Sequence, residues 1–467
     1  MKKVITVLIL LCCPLVFLSA QEVNIADAKF LYALIEEGVD SNGDSIITNG
    51  EAEAITFLDV SYQEITDITG LGAFVNLDTL YCDRNGITLL DLTSLTGLKK
   101  LNCGFNNLTT LDASTNLQLL DLDCQNNQME SLDVTQCPEL HTLFCFLNHL
   151  TSLDVSGNTA LRVLECYNNN LTVLDVTSNT LLEELACVSN QLSSLDVSGN
   201  PDLRYLNCAD NHLSQLDLSV NGALHFLHCE QNQLEHLDVS FCESLIALEC
   251  QGNRLDSLDV TANTGLTYLD CSANLLVRLD VTRNVSLLFL GCRDNLLEHL
   301  NVSSNTALKT IDCSNNMLSG LDVSSNTVLT ELRCSGNELT CLDLSGSVRI
   351  ERLDGSGNQL VSIDLRHFRG CDWFNCISLR NMSTLRQVCL SDLSYSFLIS
   401  LTGSSNAYFT TDCQDIEVPR VFAEDSVVNR EEVRVMCNED ATIYLVPENT
   451  ERNLPVIRAT GIITGRA

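Results

Sequence analysis

The chain has 467 residues, 61 of them acidic and 26 basic, for a formal net charge of -35. So acidic a balance excludes the basic footprint of a nucleic-acid-binding protein, and no nucleic-acid partner is expected. The length exceeds what one ordinary core organises but suits a linear array.

Residues 1–20 read MKKVITVLILLCCPLVFLSA. Two lysines, an apolar run from Val4 to Phe17 and the small pair Ser19-Ala20 predict a signal peptide cut before Gln21. The mature protein is therefore expected to be secreted or on the cell surface. No later stretch is apolar enough to be a transmembrane segment. Residues 21–54 are read as an N-terminal cap. Ala28, Leu31, Leu34 and Ile35 fall at helical spacing within residues 24–39. After them come Asp40, Asn42, Asp44, Ile46 and Glu51, at positions 1, 3, 5, 7 and 12 of a twelve-residue stretch. This resembles an EF-hand calcium loop, in which Ile46 lends its backbone carbonyl. Ser45 stands where the motif has glycine, so a left-handed serine is implied. A structural calcium is the cofactor expected here.

Residues 55–380 are dominated by repetition. The segment Leu161 to Leu181, LRVLECYNNNLTVLDVTSNTL, returns every 21 residues. Cysteine holds one register from Cys82 and Cys103 through Cys166 to Cys334; Gly355 interrupts it and Cys376 resumes it in the 21-residue count. Asparagine follows three residues later, from Asn85 to Asn358, and aspartate nine residues later, from Asp91 to Asp364, with Asn301 the exception. A fixed period of this size means a solenoid. Alternation puts Leu164 and Cys166 on the inner face of a short strand and Val163, Glu165 and Tyr167 on the outer one. Stacking then buries leucine on leucine and cysteine on cysteine. Twenty-one residues leave no room for a long helix, so short extended segments are expected on the convex side. About sixteen coils are counted, from Val60 to Cys376.

The Leu-x-x-Leu-x-Cys-x-x-Asn-x-Leu pattern resembles that of the secreted bacterial leucine-rich-repeat proteins of the internalin family that carry a cysteine ladder. The resemblance implies a mainly β leucine-rich-repeat solenoid with a parallel sheet on its concave face, and a role in adhesion. Export would favour disulfides, but thiols stacked in parallel about 4.8 Å apart are too far apart and wrongly directed for unstrained bridges. They are read as buried small hydrophobes. A metal–thiolate stack is the alternative, without a CxxC pair or histidine register to support it. For the aspartate register, hydrogen bonds to backbone amides or to the following Ser/Thr are expected to offset like-charge repulsion; bound cations are the alternative.

Residues 381–415 are read as a C-terminal cap, closed by a disulfide between Cys389 and Cys413. In residues 416–467 the runs 433–436, 442–446 and 456–462 alternate like strands, too few for a full sandwich, so a partial β module is expected.

Candidate ligand-binding residues lie on the outer face of the strands. Tyr205, Phe226, Tyr268 and Phe289 share one register, three before the ladder position. Glu165, Glu249 and Asp270 share the register one before it, as an acidic rim. Phe144, Phe146 and Tyr167 form a second patch, and Trp373 stands alone. Solvent-facing aromatics are the usual material of binding hot spots, although aromatics also favour strands for their own sake. His225 and His228 lie near Glu230 and Glu249, but an offset of three places the two histidines on opposite faces of a strand, so no metal set is expected from them. No triad, phosphate-binding loop or carboxylate cleft is singled out, and no enzymatic activity is expected. The sequence reads as an exported, non-enzymatic interaction module for a protein or glycan ligand. The alternative is a calcium-stabilised cell-envelope protein without a specific ligand.

Overall fold

The computed structural model describes residues 21–368, 370, 376–413, 434–436 and 444–446. The expected signal peptide, Trp373 and the strand expected at 456–462 lie outside the described residues. The chain divides into two units, Met1–Leu150 and Thr151–Ala467. Both are built from the same coil, and seventeen short strands belong to parallel sheet of one kind.

Unit one opens on helix α1 (Ala28–Glu36), with Phe30, Ala33 and Leu34 buried. The stripe is thus shifted from the one read in sequence: Ala28 is exposed, and Phe30 is fully buried in its stead. Asp27 caps α1 by accepting from the Lys29 amide at 2.8 Å, and its other oxygen accepts from the Thr66 amide at 2.9 Å. One carboxylate therefore fixes the helix to the coil. Burial would raise its pKa, but the amides of Thr66, Lys29 and Asp67 prevail and hold it at about 2. A short second helix, α2 (Asn49–Glu53), starts with a capping box between Thr48 and Glu51. The main sheet of this unit runs Phe57–Asp59, Thr79–Tyr81, Lys100–Asn102, Asp121–Asp123 and Thr142–Phe144, paired in parallel in that order, and Thr110–Asp112 pairs in parallel with Ser131–Asp133.

Unit two continues the 21-residue step from Val163–Glu165 to Arg352–Asp354 without a register slip. Each strand is three residues long and buries its central residue; Leu164, Leu206, Leu227 and Leu248 are fully buried. The return side carries turns and extended segments, as 21 residues require. Beyond Arg352–Asp354 the step lengthens: Leu353 pairs with Ile377 and Asp354 with Ser378. Leu379, not Cys376, therefore stands opposite Gly355. Three inserted residues take Cys376 out of the ladder, and it is disulfide-bonded instead. Ile377 pairs in turn with Ile399, so coils continue into the segment read as a cap. A second small parallel sheet, Ser362–Leu365 with Gln387–Leu390 and Tyr408–Thr410, holds the Cys389–Cys413 disulfide, whose Cα atoms are 5.8 Å apart. Of the expected β module, Arg434–Met436 and Tyr444–Val446 pair antiparallel.

The ladder cysteines from Cys82 to Cys334 are fully buried. Burial pushes the thiols of Cys187, Cys208 and Cys229 well up and that of Cys313 to about 12, which favours the protonated, unreactive form. Two residues after each ladder cysteine the chain passes through left-handed backbone: Asn126, Ser189, Asp210 and Ala273 have φ of 50–53°. A left-handed L-residue costs about 1–2 kcal/mol, and only Gly252, Gly336 and Gly357 avoid it. The turn aims the next residue, the asparagine, into the interior. Asn274 there donates to Cys250 O at 3.0 Å, to its own coil's Cys271 O at 3.1 Å and to Ser272 O at 3.2 Å, and it accepts from Leu255 N at 3.0 Å. One amide thus serves four backbone groups in two coils.

A second buried asparagine register runs along the return side. Asn200 donates to Val176 O at 3.0 Å and to Asn179 O at 2.9 Å, while its Oδ1 bonds nothing. Only a donor is needed there. Cys137 fills the same place with its thiol 3.4 Å from Ala113 O, and Ser347 with its hydroxyl 3.1 Å from Val323 O. The aspartate register is held by its own turn: Asp175 accepts from the Thr177 hydroxyl at 2.6 Å and amide at 3.0 Å, which keeps it below the usual carboxylate range.

The two asparagine registers should respond differently to substitution. Asn274→Ala leaves four backbone groups without partners in a dry interior and should destabilise by more than about 2 kcal/mol. Asn284→Ser keeps the donor and should cost about 1 kcal/mol or less. Urea midpoints of the two variants check this; equal losses would contradict it.

Candidate functional site

The outer sheet face of unit two carries the predicted aromatics, because residues two apart on a strand point the same way. Register pairs Tyr205 with Phe226 and Tyr268 with Phe289, and Ala247 stands between the two pairs. Tyr268 and Phe289 stack with ring centroids 4.4 Å apart and planes 6° from parallel. Tyr205 and Phe226 lie 6.5 Å apart at 48°. Phe226 is exposed; the other three are half-buried, since each covers its neighbour. The column is therefore two aromatic platforms flanking a small residue. Beside Tyr205 and Phe226 lies a depression of about 770 Å³ lined by Glu165, Tyr167, Glu184 and Arg204 among others. The rings of Phe144 and Phe146, in unit one, lie 6.3 Å apart and tilted by 57°.

Glu249 and Asp270 sit in adjacent strands directly across from each other, within the acidic field expected of them. That field is stronger than the sequence suggested, because Glu230 joins it. Burial, with Glu249, Asp270 and Asp210 nearby, pushes the Glu230 carboxyl up to about 7. The Tyr268 phenol is raised to about 12 by burial and by the same carboxylates. Sequence reasoning set His225 and His228 aside as a pair, and His225 does turn away, with Nδ1 2.7 Å from Ala223 O. His228 and Glu230, two apart on one strand run, share a face, and Glu249, in the same register as His228, stands across from it in the next strand. His228 Nδ1 is 3.4 Å from Glu249 Oε1, and donor atoms of His228, Glu230 and Glu249 all lie within 4.8 Å of one another.

In the N-terminal loop, Asp40 accepts from the amides of Gly43 at 2.7 Å and Ser45 at 2.8 Å, Asn42 from Asp44 at 2.9 Å, and Asp44 from Ile46 at 2.9 Å. Ser45 adopts φ of 63°, the conformation glycine would take more cheaply. Glu51 is used otherwise. One of its oxygens accepts from the Ser41 amide and hydroxyl, and the other from those of Thr48, at 2.8–3.0 Å. These bonds hold its pKa at about 2. Asp40, Asn42 and Asp44 thus gather around one turn, and Glu51 faces the loop's flanks. No helix among the described residues is long and apolar enough to cross a membrane.

No protein-family profile matches the sequence, and no curated protein is similar enough to match it. Solved structures do. The functional domain of InlJ from Listeria monocytogenes, which includes a cysteine ladder, is 35% identical, covers 74% of this chain and 76% of its own, and superposes with a TM-score of 0.69. An internalin, InlF, from the same organism is 22% identical over 71% of this chain and 95% of its own, with a TM-score of 0.55. The plant peptide hormone receptor RGFR1, solved in complex with RGF2, is 20% identical over 78% of this chain and 69% of its own, with a TM-score of 0.54. The last two share the fold. The identity to InlJ, together with the buried thiols in one register, places this chain in the family of leucine-rich-repeat proteins with a cysteine ladder.

Proposed function

We propose that this chain is an exported, non-catalytic interaction protein that binds a protein or glycan through the outer sheet face of unit two, as an adhesin does. The observation that carries this reading is the pair of aromatic platforms, Tyr205–Phe226 and Tyr268–Phe289, held on rigid strands around Ala247. Flat apolar rings at a surface, rimmed by Glu165, Glu249 and Asp270, match the anatomy of an interface: an apolar centre and a polar rim. Strands that form one packed array lose little entropy when a ligand lands on them, which favours affinity. The RGFR1 complex is an instance of the fold holding a peptide ligand.

The N-terminal loop is proposed as a structural calcium site. Asp40, Asn42 and Asp44 supply side-chain oxygens and Ile46 its carbonyl, and Glu51 would join them by leaving Ser41 and Thr48. The ion would fix α1 and α2 against the first coil, capping a solenoid end that would otherwise expose its core.

Changing Tyr205, Phe226, Tyr268 and Phe289 together to serine should weaken capture of an extracellular protein extract, or of an immobilised glycan panel, by at least about a hundredfold, with circular dichroism unchanged. Unchanged capture would remove the contact surface. For calcium, melting of the wild type should fall on adding chelator, and Asp40→Ala should melt at the lower temperature in both conditions. An equal response of the two proteins would rule the loop out.

A further inference from the structure

His228, Glu230 and Glu249 form the one group of three His, Cys, Asp or Glu side chains among the described residues whose donor atoms converge. Their placement follows from the coil: two donors come from one strand run, and the third from its lateral neighbour. The geometry suits a metal ion. Two donors each about 2.0–2.1 Å from a tetrahedral ion stand about 3.4 Å apart; His228 Nδ1 and Glu249 Oε1 are 3.4 Å apart.

A second, independent observation points the same way. Glu230 Oε2 is buried and bonds nothing, and so is Gln251 Oε1 in the adjacent coil. Unlike the neutral return-side asparagine oxygens, a buried carboxylate oxygen without a donor is costly when ionised and calls for a positive partner. Among the described residues no lysine or arginine pairs with Glu230 or Glu249; Glu249 has only the His228 imidazole, at 3.4 Å. Gln251 donates from Nε2 to Glu249 Oε2 at 3.3 Å, an orienting contact of the kind that metal-binding carboxylates commonly have.

We propose that His228, Glu230 and Glu249 bind a divalent transition ion of the zinc class. One imidazole nitrogen and two carboxylates suit such an ion better than calcium or magnesium, which take oxygen alone. Three protein donors leave a fourth position open. It would face outward beside Ala247, whose methyl group leaves room between the aromatic platforms. A carboxylate, imidazole or hydroxyl of an incoming ligand would complete the coordination. The ion would also link two coils across the sheet.

The test uses the whole mature chain, stripped with chelator and then kept in calcium to saturate the N-terminal loop. Zinc is titrated by equilibrium dialysis, and cobalt(II) by its visible spectrum. One ion per chain is expected, with a nitrogen–oxygen cobalt spectrum free of thiolate charge transfer. His228→Ala and Glu230→Gln should each weaken zinc binding beyond the roughly 10–100-fold loss seen when a mere orienting partner is removed. Absence of stoichiometric binding, unchanged affinity in both variants, or a thiolate-type cobalt spectrum from the ladder would overturn the proposal. Metal binding is read without any partner, so it stands or falls apart from the proposed contact surface.

Discussion

The structure depends on what happens directly after each strand. The chain must leave the sheet within a few residues, and it does so through left-handed backbone that L-residues adopt at a cost. The turn strands backbone groups in an interior where water cannot serve them. A single asparagine amide serves them all, bonding its own coil and the one before it. An amide has a donor end and an acceptor end, and this position uses both. No other side chain of its size offers that, which is why asparagine runs from Asn85 to Asn358 without a gap.

Where the demand is weaker, the sequence relaxes. The return-side register needs a donor only, and asparagine there alternates with Cys137, Cys242 and Ser347. The ladder cysteines answer a third requirement. They fill the narrow space between the strand and the asparagine turn with a small apolar group. Stacked coil on coil, they need no bridge, and burial keeps them protonated. Solenoid stability is a sum over such neighbour contacts, so the ends need separate treatment: Asp27 and α1 at one, the Cys389–Cys413 sheet at the other.

The fold was legible because a repeat states its constraints many times over. Strand positions, the inward leucine and cysteine, and the extended return all follow from spacing. What repetition does not state was harder to read. The three-residue insertion that displaces Cys376 keeps the letter in register while the backbone leaves it. The left-handed residue has no fixed identity, so nothing in the letters marks it. On the sheet face, the aromatic register was visible, but Ala247 as a divider gained meaning only once the rings had paired around it. His228, Glu230 and Glu249 were in view but set aside, because the two histidines three apart were judged as a pair. The productive relation was two apart along the strand and one coil across. That rule, applied to any register of a solenoid, would have found them.

The central claim is that thiols and asparagine amides share one dry column inside the coils. It is tested most directly by treating the native protein with a bulky alkylating reagent and locating the adducts by mass spectrometry. The ladder cysteines from Cys82 to Cys334 should remain unmodified until denaturant is added and then react together. Prompt modification of most of them in the native protein would contradict the account.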